Sequence, residues 1–494
     1  MAKHTRIRTN EQRERLLLNR ETLLSVIDGS AIARSVAQPQ GGMTITLERI
    51  LTKRSSGDSV PFEGDTGIER LLSELTETYQ GGRLVIDDHL VGISGTLVIE
   101  GQDAPIDLRA TLGSGGQVRL RVGPSSSPLR LLDAIRVFDR HVHLACKRLG
   151  LSYELTAQGY NPSVASPSDV VPLPLSSQAL LNTYLSHTGR YARDAMRCTA
   201  STRISLPLDA HEQDAVTSYR IFAALSPVIA FLTDNSLRLR GSGPRQTPRM
   251  ARSLVWSQVD PTRCGLVPGT FAPGFGFAAY ESWVEGVCPI LFVSDDHLTF
   301  STGSNTCARV MEERDLSVSE ARRLLRTIMP DVRWNGRLEI CCADSLPPRL
   351  AVAYALLAKG VSGSAAERES VCKLLNMDEM SDDAVERAWH DLRELGWAAR
   401  VYGRPITQIA NELASIASRG LEDRDERRAL DTLSQMWEVH SVPRDILLDK
   451  WERTHVPSKD EEAIELYGEG AVIPYEQLAG DPPAGQTAVM RFKR

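Results

Sequence analysis

The 494-residue chain carries 57 Lys and Arg against 63 Asp and Glu, a formal net charge of -6, with 42% hydrophobic and 24% charged residues. That balance excludes a mainly disordered chain and gives no overall charge drive toward nucleic acid. The length admits one large domain with appendages, or two or three smaller ones, with a sizeable buried core.

No window approaches 18 uncharged apolar residues, and the start MAKHTRIRTNEQRERLLLNR lacks the apolar stretch of a signal peptide. The expectation is a cytoplasmic protein with neither a membrane nor nucleic acid as partner. The eight cysteines (146, 198, 264, 288, 307, 341, 342 and 372) form no CxxC pair. Reduced thiols are expected rather than a zinc site or a disulfide framework.

Residues 1–20 hold Lys3, Arg6, Arg8, Arg13, Arg15 and Arg20 against Glu11 and Glu14. They read as a solvated, partly helical basic arm, set against a nucleic-acid tail that has only those charges in its favour. Residues 21–34 read as a short helix before the alternating strand MTITLER at 43–49. GIERLLSELTETY at 67–79 places Ile68, Leu71, Leu72 and Leu75 on one helical stripe. From 83 to 123, RLVIDDHLVGI, GTLVIEG, PIDLRATL and QVRLRVG read as an antiparallel meander. A helix over 128–149 follows, with Ser127 as N-cap, Pro128 at its first position and Gly150 past its end. His141 and His143, two apart on it, cannot share a face as metal ligands.

Residues 159–178, with four prolines among serines, read as a loop. A strand over 197–206 leads to an apolar helix over about 210–232 capped by Asp209. A loop around Gly241 to Pro248 precedes RSLVWSQVDPTRCG at 252–265 and the glycine- and aromatic-rich stretch 268–286. SVSE at 317–320 is a capping-box start. In the strand within MPDVRWNGRLEICCADSLPP at 329–348, Arg337, Glu339 and Cys341 point one way and Leu338, Ile340 and Cys342 the other. Strands of this kind build a sheet with one dry face for helices and one wet face for a ligand. After about residue 349 the chain turns to amphipathic helices, and from Pro457 to a tail expected to be partly ordered.

Four of these segments resemble the glutamate-cysteine ligase family in its plant and proteobacterial branch, over about residues 40–455. RDAMRCTASTRISL stands beside the family's MMxRTxTxQVNLD, and RSLVWSQVDPTRCG beside RSxIWxDTDxxRTG. MPDVRWNGRLEICCADSLP stands beside PxVRxxxYxEVRGAD, and the terminal helices likewise end in DKW. The resemblance implies an α+β fold of glutamine synthetase/glutamate-cysteine ligase type, a curved antiparallel sheet around a cleft with helices packed behind. It divides the chain into a basic arm (1–35), a ligase-like core (36–348), a helical part of the same fold (349–456) and a tail (457–494). The implied reaction is phosphorylation of the glutamate γ-carboxyl by ATP, followed by displacement of phosphate by the cysteine amine. Such chemistry gathers carboxylates around two or three Mg²⁺ ions, so ATP and Mg are the implied cofactors of an active enzyme.

The chain departs from the family pattern at the implied metal site. Glu48 and Glu339 remain, while Thr46, Gly113 and Arg119 stand where the family has carboxylates, Arg203 where it has glutamine, and Cys341 where it has arginine. Arg252, Trp256, Asp260 and Arg263 stand at the substrate-binding positions, Arg263 as the implied holder of the glutamate α-carboxylate. No catalytic residue is assigned. Two readings follow: a ligase joining glutamate to an amino-acid amine such as cysteine, or an impaired homologue acting as a binding or regulatory module, with a paralogous ligase as its candidate partner. The register places Glu48, Gln117, Arg203 and Glu339 on one concave face, with Arg119 paired to Glu48 or Glu339 in place of a cation.

Overall fold

A computed structural model describes residues 8–31, 41–79, 81–99 and 104–455. The tail from 457, residues 1–7 and residues 32–34 of the expected early helix lie outside the described residues.

Among the described residues, nine strands form the main sheet: β1 (Met43–Lys53), β2 (Arg83–Ile86), β3 (His89–Leu97), β4 (Ile106–Leu112), β5 (Val118–Ser125), β6 (Tyr153–Thr156), β7 (Ser201–Leu206), β8 (Val332–Trp334) and β9 (Leu338–Asp344). Their order is β8-β9-β7-β1-β5-β4-β3-β2, and β6 pairs with the far end of β1. All these pairings are antiparallel. The architecture is α+β, a mostly antiparallel sheet with helices on one face.

Alternation along the strands sorts the two faces. Ile45, Leu47, Leu120, Val122, Ile204 and Ile340 are wholly buried, while Thr46, Arg119, Arg121, Arg203 and Glu339 between them face a cavity. The dry face is covered by the Pro128–Arg148 helix on β5, the Glu212–Leu232 helix on β8 and β9, and the Pro348–Val361 helix on β1 and β7. The last of these is enclosed in turn by the Ile406–Arg419 and Arg424–Glu438 helices, so the C-terminal helices are the outer layer of the same core. Glu212–Leu232 is long and apolar enough to cross a membrane by length and composition, but 89% of its apolar window is buried inside the protein.

Several local expectations shift. The basic arm and the short helix after it are one helix, Asn10–Ile27, started by a reciprocal Thr9–Gln12 capping box. The described part of the arm is docked, not solvated. Leu16, Leu23, Val26 and Ile27 are buried, Arg8 pairs with Glu312 at 2.5 Å, Arg15 with Asp315 at 3.1 Å, and Arg20 with Glu285. Asn19 fixes the register by donating to the Met311 and Arg314 carbonyls and accepting from the Leu316 amide. The residue preceding the Glu212–Leu232 helix is His211, and Asp209 instead accepts from the Ser218 hydroxyl and pairs with Arg368. His141 shares a 2.8 Å hydrogen bond with the Tyr79 hydroxyl. The Ser317–Glu320 capping box is present.

Candidate active site

The wet face of the sheet floors a cavity of about 1570 Å³. β1 supplies Thr44, Thr46 and Glu48, β5 Arg119 and Arg121, β4 Arg109 and Thr111, β7 Ser201 and Arg203, and β9 Glu339 and Cys341. Gln117 enters from the turn before β5. The alternation that hides the apolar residues forces this set to the cavity, because a one-residue slip would exchange the faces. Two rungs cross the floor. One runs Arg109, Arg121, Thr46, Arg203, and the next Thr111, Arg119, Glu48.

Glu48 is the electrostatic centre of the floor. Arg119 Nε donates to its Oε1 at 2.5 Å and the Arg203 guanidinium to the same oxygen. The Ser201 amide and hydroxyl donate to Oε2 at 3.0 and 2.6 Å. Burial alone would raise this carboxyl, but Arg203, Arg119 and the Ser201 hydroxyl overcome it and bring it down to about 2. Glu339 is treated likewise: burial opposes ionisation, and Arg333, whose Nε lies 2.5 Å from Oε2, holds the carboxylate below its usual range together with Arg203 and Arg121.

These contacts decide the fit of a divalent ion. The implied metal carboxylates are engaged by guanidinium groups, Glu48 by Arg119 and Arg203 and Glu339 by Arg333. At Gly113 the space is filled: a Cβ there would lie 2.5 Å from Gln117 Oε1. That amide is fixed in turn by the Gly115 amide and the Met196 and Thr199 carbonyls. Cys341, its thiol held protonated by burial, is no ligand for a hard cation. Among the described residues no group of three or more His, Cys, Asp or Glu could hold a metal. Magnesium does not fit the residues present.

The implied substrate strip is divided by the cavity wall. Arg252 lines the cavity, its Nη1 and Nη2 each 3.2 Å from the carbonyls of Cys342 and Cys341. Trp256 also lines it, its indole N–H donating to Thr199 Oγ1 at 3.1 Å. Asp260 and Arg263 lie behind the wall. Arg263 is 2% exposed and gives its Nε to Asp260 at 2.8 Å, with Thr327 and Tyr184 taking its other nitrogens. Burial acts against the Asp260 charge, yet Tyr184, Arg263 and Thr262 bring its carboxyl down to about 2. In this arrangement Arg263 braces the segment that carries Trp256, because its donors are spent inside the protein.

The structure adds residues that the sequence reading did not single out. Asp331 lines the cavity, and burial, opposed only by Arg252, pushes its carboxyl up to about 6. It is the variable position between Pro330 and Val332 of a segment already recognised, so no pattern marked it. Arg109, Arg121, Arg326, Arg333 and Arg337 also line the cavity. The signal for Arg121 was the register of Arg119 two residues earlier on the same strand. Asp28, Gly29 and Ser30, just past the first helix, close the rim against the Asn335–Arg337 turn, where the Gly336 amide donates to the Ile27 carbonyl at 3.1 Å.

The pattern of glutamate-cysteine ligase family 2 (GCS2) matches residues 47–468. A chloroplastic glutamate–cysteine ligase A of Oryza sativa subsp. japonica is 22% identical over 407 residues, covering 79% of this chain and 78% of its own. The chloroplastic glutamate–cysteine ligase of Nicotiana tabacum is also 22% identical, over 80% and 74%, and that of Arabidopsis thaliana 21% identical, over 78% and 72%. A solved chain from the complex between the prokaryotic ubiquitin-like protein Pup and its ligase PafA is 13% identical at a TM-score of 0.39, covering 85% of this chain and 70% of that one. With the pattern spanning most of its length, the chain belongs to the glutamate-cysteine ligase family, as a glutamate-cysteine ligase-like protein.

Proposed function

We propose that the protein is a carboxylate–amine ligase that joins glutamate to the amine of cysteine or a related amino acid, with ATP as third reactant and without a divalent ion held by Glu48 and Glu339. The observation that carries this reading is the floor of the cavity: a concave sheet face, at the positions that resemble the family's reaction site, lined by guanidinium groups suited to carboxylate and phosphate.

ATP, when bound, supplies the activation of the glutamate carboxyl. The rest falls to the chain. The arginines around the whole cavity supply guanidinium groups of the kind that takes the carboxylates of an acidic amino acid. Arg252 is a positioning residue, tying the β9 backbone at Cys341 and Cys342 to the Ala251–Ser257 helix and so holding Trp256 against the cleft. An amine attacks only when neutral. Asp331, raised to about 6 and with no side-chain hydrogen bond among the described residues, is the group placed to take its proton near neutral pH.

The test is incubation of the purified protein with ATP, glutamate and a panel of amino-acid amines, with and without Mg²⁺, followed by ADP release and the mass of the product. Turnover with a pair supports the ligase reading. No turnover with any pair, combined with a thermal shift on adding glutamate, would replace it by the binding-module reading.

A further inference from the structure

We propose that the arginine floor is a metal-free oligophosphate site, in which Arg109, Arg121 and Arg326 take the phosphate chain of the nucleotide directly, with no bridging divalent ion. The inference rests on the ligase reading for the presence of a nucleotide but concerns how its phosphates are held.

Ten arginines and seven carboxylates line the cavity, and the carboxylates central to the floor are already engaged. Arg109, Arg121 and Arg326 have no carboxylate within 4.0 Å and no side-chain hydrogen bond among the described residues. Their placement adds to the crowding. Arg109 and Arg121 are directly opposed on β4 and β5, where like charges destabilise a sheet. Arg326 reaches the same concavity with Arg333, Arg109 and Arg322 around it, and Arg337 is crowded by Arg121, with Glu339 the one carboxylate that offsets part of this at both. Burial first, then these neighbours, bring Arg326 and Arg337 down to about 10. Folding alone does not favour like charges gathered into one hollow; a bound polyanion does.

Ligand class follows from number and spacing. One carboxylate occupies one guanidinium fork. The backbones of Arg109 and Arg121 stand one strand spacing apart, about 4.8 Å, and Arg326 lies near enough to Arg109 to feel its charge, so a ligand that presents several anionic groups in a short row suits the three together. Of the reactants in the ligase reading, only the nucleotide does this. A divalent ion on that row would cancel part of its charge and sit among cations, so magnesium should oppose binding instead of assisting it.

The decisive measurement is calorimetric titration of the full chain with a non-hydrolysable ATP analogue, in EDTA and in excess Mg²⁺, beside AMP and citrate. The expected result is binding in EDTA that is about tenfold tighter than in Mg²⁺, with AMP and citrate weaker than the triphosphate. Arg121→Ser and Arg326→Ser should each weaken it about tenfold, while Lys373→Ser on a remote, exposed site leaves it unchanged. A merely structural Arg121 would lose stability on substitution, whereas a ligand-bearing one leaves the apo melting temperature equal or raised. Nucleotide binding that requires Mg²⁺, variants that bind as the parent does, or citrate binding as tightly as the triphosphate would each overturn the proposal. Turnover with Mg²⁺-dependent nucleotide binding would defeat this inference alone. Binding in EDTA without turnover on any amine would defeat the ligase reading alone.

Discussion

Glu48 shows how neighbours can reassign a residue. Its carboxylate now accepts hydrogen bonds from Arg119, Arg203 and Ser201, so it fastens three strands together rather than offering oxygens to an ion. Its folded value of about 2 lies below the ordinary 4.5, so the stabilisation is complete above about pH 4.5 and is lost as the pH falls toward 2. Glu48→Gln should cost about 3 kcal/mol by chemical denaturation at neutral pH, since it strands two guanidinium groups, and should flatten the acid limb of the stability profile. Asp331 carries the opposite shift and a different consequence. In an active preparation, kcat/KM should rise through about pH 6 as Asp331 ionises. Asp331→Asn should lower kcat by about 10²-fold or more and abolish that limb without moving the melting temperature by more than a few degrees.

β1 is the element on which the rest depends, pairing β5 on one side, β7 on the other and β6 at its far end. Its inner residues Ile45 and Leu47 are fully buried, so Leu47→Ala should cost about 2–5 kcal/mol in a denaturant titration, with cavity formation adding to the lost burial. This strand was also among the most legible parts of the sequence. Thr46 and Glu48 alternate with Ile45 and Leu47, and that period fixes which side chains face the cleft whatever the neighbouring strands are. Strand order was not legible, because alternation says nothing about partners, and β7 reaches β1 only after β2 to β6 have intervened in the chain. That Arg119 would pair with Glu48 or Glu339 followed from its standing where the resembled family keeps a metal-facing carboxylate, and the structure selects Glu48. The inward turn of Arg263 could not, since it depends on Tyr184 and Thr327, distant in the chain and brought alongside only by folding. The docking of the first helix was hidden for the same reason: its arginines look like a solvated face until Glu285, Glu312 and Asp315 are placed beside them.

Over the whole molecule the buried acids act in opposition. Glu48 and Asp260, held low, favour the folded state above about pH 4.5. Asp331, Asp234 and Glu281 are held high, chiefly by burial, with Asp344 adding to the effect on Asp234 and Glu285 to that on Glu281. A carboxyl raised in the folded state stabilises it most below its unfolded value, and that contribution is lost as the pH rises through the folded one. The melting temperature should therefore peak in the mildly acidic range and fall between about pH 5 and about pH 8, which a thermal melt series in matched ionic strength would show.

The docked first helix bears on where this chain can be cut. The shared pattern begins at residue 47, in the middle of β1 and after the Asn10–Ile27 helix that buries Leu16, Leu23, Val26 and Ile27. A fragment trimmed to that boundary would lose the first four residues of its central strand and the Asp28–Ser30 rim of the cavity, and would uncover the apolar sides of the Cys307–Glu313 and Val318–Leu325 helices. The matched pattern thus starts inside the folded unit of this chain, and a truncation made at its first residue would intrude directly on the cavity.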